Sequence, residues 1–369
     1  MSRVRVHSPN AAVYVGQTPV NVTDDPRQIL LANEASHSYS IEREDIQILG
    51  QRRPIRRVNF ETPTVSVDFS YMLSNGLNES RLGFVVDGTI SFISRIADKT
   101  EDEKNFYFLT VPEGRDAIGN TDVANHNVYA FGNCYLTSYA VEASLNEAVM
   151  VNVSAEGLNV NYDIGSADKD IPAINPETGE DIIGETYTLP VAQATEGDMP
   201  VVLRHADIEV NFSSNAEIIP GIRLVGGVGD GTGHIQDLSI EVSLDREPIE
   251  RFGSRYAFSR ELEDILPVTL NITAIRSEIQ EGKLSDIIRA CDEDTVDCTV
   301  IFRECDETPL GGDPAMTYEL RGLTIDEQSL ENSVGGGSET ATLTFTANLG
   351  GEEDVEGGLF VTAGYDFGT

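Results

Sequence analysis

Ser40-Ile41-Glu42, followed by Arg52-Arg53-Pro54-Ile55-Arg56-Arg57 and then Val65-Ser66-Val67-Asp68-Phe69-Ser70-Tyr71, is the stretch on which the fold turns, because the chain carries a second version of it. The second runs Ser239-Ile240-Glu241, then Arg246-Glu247-Pro248-Ile249-Glu250-Arg251, then Val268-Thr269-Leu270-Asn271-Ile272-Thr273. Val65, Val67, Phe69 and Tyr71 alternate with Ser66, Asp68 and Ser70; Val268, Leu270, Ile272 and Ala274 alternate with Thr269, Asn271 and Thr273. A period of two places the apolar set on one face of a sheet and the polar set on the other. The two versions differ in spacing between the Pro-Ile block and the strand, which predicts an inserted loop in the second.

Working outward, the same order of elements is expected twice. After the Val65 strand comes a turn region, Ser74-Asn75-Gly76-Leu77-Asn78. Ile90, Ile93, Ile96 and Ala97 then recur at helical spacing. Asn105 to Val111 reads as a buried strand stopped by Pro112. Tyr139, Val141, Ala143 and Leu145 alternate, as do Val149, Val151, Val153 and Ala155, with Asn146-Glu147 as the hairpin turn. In the second copy Leu284, Ile287, Ile288 and Cys291 mark a short helix and Thr299 to Phe302 a buried strand. Leu320 to Ile325 closes against Leu343, Phe345, Ala347 and Leu349, around a flexible Ser333 to Ser338 tip. The expected organisation is an arm over 1–37, a first domain over 38–160, a connector with added strands over 161–235, and a second domain over 236–369. The fold class is mainly β, each domain with one short flanking helix.

Composition narrows the function. With 369 residues and 40% hydrophobic content, there is material for two cored domains. The formal net charge of −37 opposes binding to duplex nucleic acid. Met1 to His7 has no apolar run after its charges, so no signal peptide is expected. No segment has the length of apolar residues that a spanning helix needs, and no membrane partner is expected. Cys134, Cys291, Cys298 and Cys305 lack the spacing and nearby histidines of a zinc site; isolated thiols, or a disulfide within Cys291 to Cys305, are the alternatives.

Catalytic signatures are not found. The glycines of Gly226 to Gly233 precede a strand rather than a helix, so they read as a hinge and not a dinucleotide loop. The five histidines are scattered, and no Gly-x-Ser-x-Gly elbow occurs. Asp292-Glu293-Asp294 lacks the remaining ligands of a calcium loop. No enzyme activity, cofactor or metal is therefore expected. Arg52, Arg53, Arg56, Arg57, Arg246 and Arg251 stand out in so acidic a chain. They fit either ion pairs with neighbouring subunits or ordinary pairs within the chain.

The pattern resembles the tail tube (major tail) proteins of long-tailed phages. The resemblance rests on Leu238 to Ala274, on Tyr187-Thr188-Leu189-Pro190-Val191-Ala192 with Leu203 to Phe212, and on Ala143 to Gly157 with its Ser154-Ala155-Glu156-Gly157 ending. It implies domains similar to a small β-sandwich or half-barrel, assembled as rings that stack into a tube through which DNA passes without specific binding. Most members carry one such domain and form hexamers. Two domains per chain imply a trimer with pseudo-sixfold symmetry, in the virion, made in the host cytoplasm, with itself and other tail proteins as partners. The polar residues Ser66, Asp68, Ser70, Thr269, Asn271, Thr273, Thr342, Thr344 and Thr346 are then candidate walls of an acidic lumen. Rival readings are another non-enzymatic virion or surface β protein (tail tip, decoration or adhesin component) and a secreted carboxylate hydrolase.

Overall fold

The computed structural model describes residues 11–17, 26–59, 62–164, 169–182, 186–196, 202–212, 235–275, 295–307, 310–331, 340–351, 354 and 356–364. The architecture is mainly β and antiparallel. Up to residue 164 the strands are β1 (Ala11–Gln17), β2 (Arg27–Ile29), β3 (Ala32–Ser40), β4 (Glu44–Ile46), β5 (Arg56–Val58), β6 (Thr64–Met72), β7 (Glu103–Thr110), β8 (Asn127–Ser144), β9 (Met150–Gly157) and β10 (Asn159–Ile164). Two short helices, α1 (Leu77–Arg81) and α2 (Ser94–Ala97), precede β7. The two-residue strands β11 (Lys169–Asp170), β12 (Ile174–Asn175), β13 (Glu180–Asp181) and β14 (Thr186–Tyr187) follow. The remainder is β15 (Ile208–Phe212), β16 (Ile235–Ser243), β17 (Arg246–Ile249), β18 (Ser259–Leu262), β19 (Pro267–Ile275), β20 (Val296–Arg303), β21 (Pro314–Glu331), β22 (Thr340–Asn348) and β23 (Gly358–Ala363).

Strand pairing follows one order twice. β1-β7-β8-β9-β6-β3, with β10 on β8, is the first series. β15-β20-β21-β22-β19-β16, with β23 on β21, is the second. β16 then pairs with β8, making one fifteen-stranded sheet. Register irregularities recur at matching places. β3–β6 slips between Ala32 and Glu34, and β16–β19 between Ile235 and Asp237. β8–β9 slips between Leu136 and Ser138, and β21–β22 between Ile325 and Glu327. Where β8 and β21 change partners, Asn133 has φ 52° and Gly322 φ 71°, the left-handed conformation that bulged strands use.

Matching by register corrects the sequence alignment. Tyr39 opposes Val65 and Val242 opposes Val268, so Ser40-Ile41-Glu42-Arg43-Glu44-Asp45-Ile46 falls on Ser243-Leu244-Asp245-Arg246-Glu247-Pro248-Ile249. The same offset holds at Gly50/Gly253 and Val65/Val268, so the expected inserted loop does not exist. Ser239-Ile240-Glu241 is a chance tripeptide inside β16. Both versions of the linking segment form a two-stranded hairpin, β4–β5 and β17–β18. In each hairpin a glycine at the same place (Gly50, φ 92°; Gly253, φ 93°) follows a fully exposed apolar residue, Leu49 or Phe252.

The helices also differ from expectation. Ser94–Ala97 forms as the Ile93/Ile96 spacing suggests, but α1 replaces the tail of the expected turn, started by Gly76 in left-handed geometry (φ 86°). The expected Leu284 to Cys291 helix, the Gly226 to Gly233 run and the Ser333 to Ser338 tip lie outside the described residues.

The segment read as an arm is partly built into the sheet. β1 lies between β7 and β2, with Val13, Val15 and Ile29 in the main core. β7 is buried on both faces, which explains its unbroken apolar run. Phe106 and Phe108 face the main core, while Tyr107 and Leu109 join Tyr14, Val128 and Tyr187 in a second one. The connector closes this second core: Tyr187 lies 4.2 Å from Tyr107, ring to ring, and Tyr14 Oη donates to the Pro190 carbonyl at 2.9 Å. Truncation through Ile29 removes Val13, Tyr14, Val15 and Ile29 from these cores. At about 2 kcal/mol per side chain, the loss rivals the net stability of a domain. The truncated chain is expected to be insoluble or to show no cooperative melt; a normal melting curve would contradict this.

A buried polar network joins the two pairing series. Tyr71 Oη (2.9 Å) and Tyr139 Oη (3.3 Å) donate to Glu79 Oε1, and Tyr139 Oη lies 2.8 Å from Tyr318 Oη. Burial raises the Glu79 carboxyl above its ordinary range, outweighing hydrogen bonds that pull it down. As pH rises through the unfolded value, the unfolded chain releases a proton that the folded chain keeps. Stability therefore falls with rising pH across that window, down to its level above the folded value. Glu79→Gln keeps an acceptor and removes this titration. Its melting temperature relative to wild type is expected to be higher at pH 7 than at pH 4; parallel pH profiles would refute the assignment.

Candidate functional site

The feature that runs furthest through the molecule is a polar sheet face eight strands wide: β3, β6, β9, the end of β8, β16, β19, β22 and the end of β21. Their apolar residues point to one core, so every second side chain is left on the opposite face. One row crosses five strands as Glu142, Ser239, Asn271, Thr344 and Glu327. Another runs Ser36, Asp68, Ser154 and Ser138. The expected residues Ser66, Asp68, Ser70, Thr269, Asn271, Thr273, Thr342, Thr344 and Thr346 all fall on this face by register.

Hydrogen bonds between strands hold this surface in place. Ser154 Oγ donates to Asp68 Oδ1 at 2.8 Å, Thr344 Oγ1 to Asn271 Oδ1 at 2.8 Å, and Asn271 Nδ2 to Ser239 Oγ at 3.2 Å. Thr273 and Thr342 hydroxyls lie 3.1 Å apart. The charged groups that these eight strands contribute are of one sign, and a guanidinium from outside them, Arg260 of β18, pairs with Glu156 of β9 on the same face. Residues 32–40, 64–72, 136–144, 150–157, 235–243, 267–275, 324–331 and 340–348 contain no lysine or arginine. Glu34, Asp68, Glu142, Asp237, Glu241 and Glu327 are among their carboxylates. Sequence reading missed Glu142, Ser154, Asp237, Ser239 and Glu241, although each alternates with an apolar neighbour in the same way.

The arginines divide. Arg246 is buried: Nη2 lies 2.6 Å from Asp102 Oδ1, Nη1 3.2 Å from Asp102 Oδ2, and Nε donates to the Leu136 carbonyl at 2.9 Å. The guanidinium also sits 5.1 Å from the Tyr135 ring centroid. Burial raises the Asp102 carboxyl, and Arg246 opposes that rise. The expectation that Arg246 meets a neighbouring subunit is therefore corrected: this side chain joins β17 to the first pairing series within one chain. Arg251 lies 3.3 Å from Glu177, and Arg57 2.9 Å from Asp45, both on the surface. Arg52, Arg53 and Arg56 are exposed on the β4–β5 hairpin. Cys134 and Cys298 are buried free thiols and Cys305 an exposed one, while Cys291 lies outside the described residues. Among the described residues, no cluster of three or more histidine, cysteine or acidic side chains is arranged to hold a metal. Nor is any described helix long and apolar enough to cross a membrane.

No family model and no curated protein matches the chain. Solved structures do. The SPP1 tail tube, from solid-state NMR and cryo-EM, is similar over 44% of this chain and 80% of its own, with 11% identity and a TM-score of 0.30. The six-fold symmetrised cryo-EM structure of the anti-feeding prophage baseplate is similar over 42% of this chain and 92% of its own, with 16% identity and a TM-score of 0.25. These are distant likenesses of part of the chain.

Proposed function

We propose that this protein is a structural component of a phage-type tail: a tube protein whose chain carries the tube unit twice, so that three copies enclose a channel. The observation that carries the reading is the eight-strand sheet with one apolar face on the core and one polar face to which its strands contribute no lysine or arginine, produced by two series of strands in the same pairing order. A face of hydroxyls, amides and carboxylates, curled around a lumen, gives DNA nothing to adhere to. Phosphates meet mainly like charge, and the strands of the wall contribute no lysine or arginine to replace their counterions. The protein acts as a conduit rather than a catalyst. Leu49 and Phe252, fully exposed at matching hairpin tips, are suited to contact the adjacent ring, since isolated large apolar groups gain by burial there.

Electron microscopy of the purified protein tests this reading. Rings or tubes with a central hole and three copies per layer are expected, and Leu49→Asp with Phe252→Asp should leave rings that do not stack. Isolated monomers or spikes under all assembly conditions would instead favour a tail-tip, decoration or adhesin role.

A further inference from the structure

We propose that β3 of one copy adds, antiparallel, to residues 324–331 of β21 in a second copy, in the register that β16 uses on β8 within a single chain. The inference deepens the ring reading and rests on it for the number of copies; the pairing itself rests on the strands.

Inside one chain, β16 lies on the end of β8 with Ser243 opposite Ser138, Glu241 opposite Ala140 and Ser239 opposite Glu142. β3 stands to β6 as β16 stands to β19, and the end of β21 stands to β22 as the end of β8 stands to β9, slips included. The end of β8 has a partner on each side, β9 and β16. Among the described residues, the end of β21 has only β22, and β3 has only β6. Two matching edges are thus open at opposite ends of the eight-strand run.

An open edge invites pairing unless it is short, charged with lysine or interrupted by proline. β3 is nine residues long, exposed throughout, and contains no lysine, arginine or proline. Carried across, the internal register puts Ser40 opposite Glu327 and Ser38 opposite Ser329 of the second copy. The hairpin after β3 supplies an anchor. Arg43 occupies the place of Arg246 and is exposed in the single chain. Arg246 donates to the Leu136 carbonyl, and Ile325 occupies the place of Leu136. Arg43 therefore reaches the Ile325 carbonyl of the second copy. Each copy offers one edge of each kind, so the contact is head-to-tail and closes a ring when the rotation allows.

Disulfide trapping tests the register in full-length protein carrying Cys305→Ser. Ser38→Cys with Ser329→Cys is expected to give crosslinks between copies on non-reducing gels under mild oxidation. Ser38→Cys with Glu327→Cys, out of register, is expected to give several-fold fewer. Arg43→Ala should weaken association about tenfold or more without moving the thermal unfolding of the single chain. Rings by microscopy with no preferential crosslink would overturn this pairing and leave the tube reading standing. A protein that stays monomeric throughout, with no crosslink, would overturn both.

Discussion

Arg246→Ala is expected to lower the unfolding free energy by about 3–5 kcal/mol, the cost typical of removing one partner of a buried ion pair. The guanidinium is 1% exposed and bonded to both Asp102 oxygens and to the Leu136 and Arg260 carbonyls. After the substitution Asp102 is left without its guanidinium partner in a site where burial already raises its carboxyl. Two carbonyls lose a donor as well. The defect should shrink as pH falls and Asp102 takes up a proton, because the protonated acid no longer needs a cation. Arg246→Lys should recover only part, since an ammonium lacks the planar fork that bonds both carboxylate oxygens. Arg251→Ala is the contrasting control: its pair with Glu177 is about half exposed on both sides, and such pairs contribute about 0–1 kcal/mol. Urea unfolding at pH 7 and pH 5 measures all three. A loss under 1 kcal/mol for Arg246→Ala would mean that the two pairing series are held together mainly by β16 on β8.

The contrast between these arginines shows what the sequence could and could not tell. Alternation at Val65 to Tyr71 and at Val268 to Ala274 located two strands and assigned their faces correctly, because a period of two is a local property. The buried run at Asn105 to Val111 was legible for the same reason. What was not legible depends on partners distant in the chain. Arg52-Arg53-Pro54-Ile55 and Arg246-Glu247-Pro248-Ile249 look alike, yet the register sets Arg246 against Arg43. Only the pairing of β3 with β6 and of β16 with β19 fixes that alignment. Val13-Tyr14-Val15 falls within the stretch read as an arm; its burial comes from β7 and from the connector around Tyr187, both remote in sequence. The helix α1 was hidden by Ser74-Asn75-Gly76, which signals a turn, and by its burying Asn78 and Glu79 rather than an apolar stripe. The polar face was half seen. Its width needed the β16–β8 contact, which no local pattern announces.

Glu142→Lys with Glu241→Lys places the second large effect on that face. Both side chains are exposed, one on β8 and one on β16, and both project from the polar face. Neither makes an ion pair among the described residues whose loss would destabilise the fold, so assembly and melting temperature should stay close to wild type. Passage of DNA should not. Each substitution replaces a repelling charge with an attracting one, worth about 1 kcal/mol against a phosphate at contact distance even in water. If three copies form each ring and rings repeat along a tube, the lysines recur at every level. A polyanion moving through would then exchange counterions for fixed cations at each step. Purified variant tubes are expected to retain short duplex DNA at low salt and release it as salt rises, whereas wild-type tubes retain none at either. The steep salt dependence separates lumenal capture from a general folding defect, which salt would not reverse in this way. Equal indifference to DNA in both proteins at low salt would place the polar face outside the channel, and the conduit would then have to be lined by another surface of this chain.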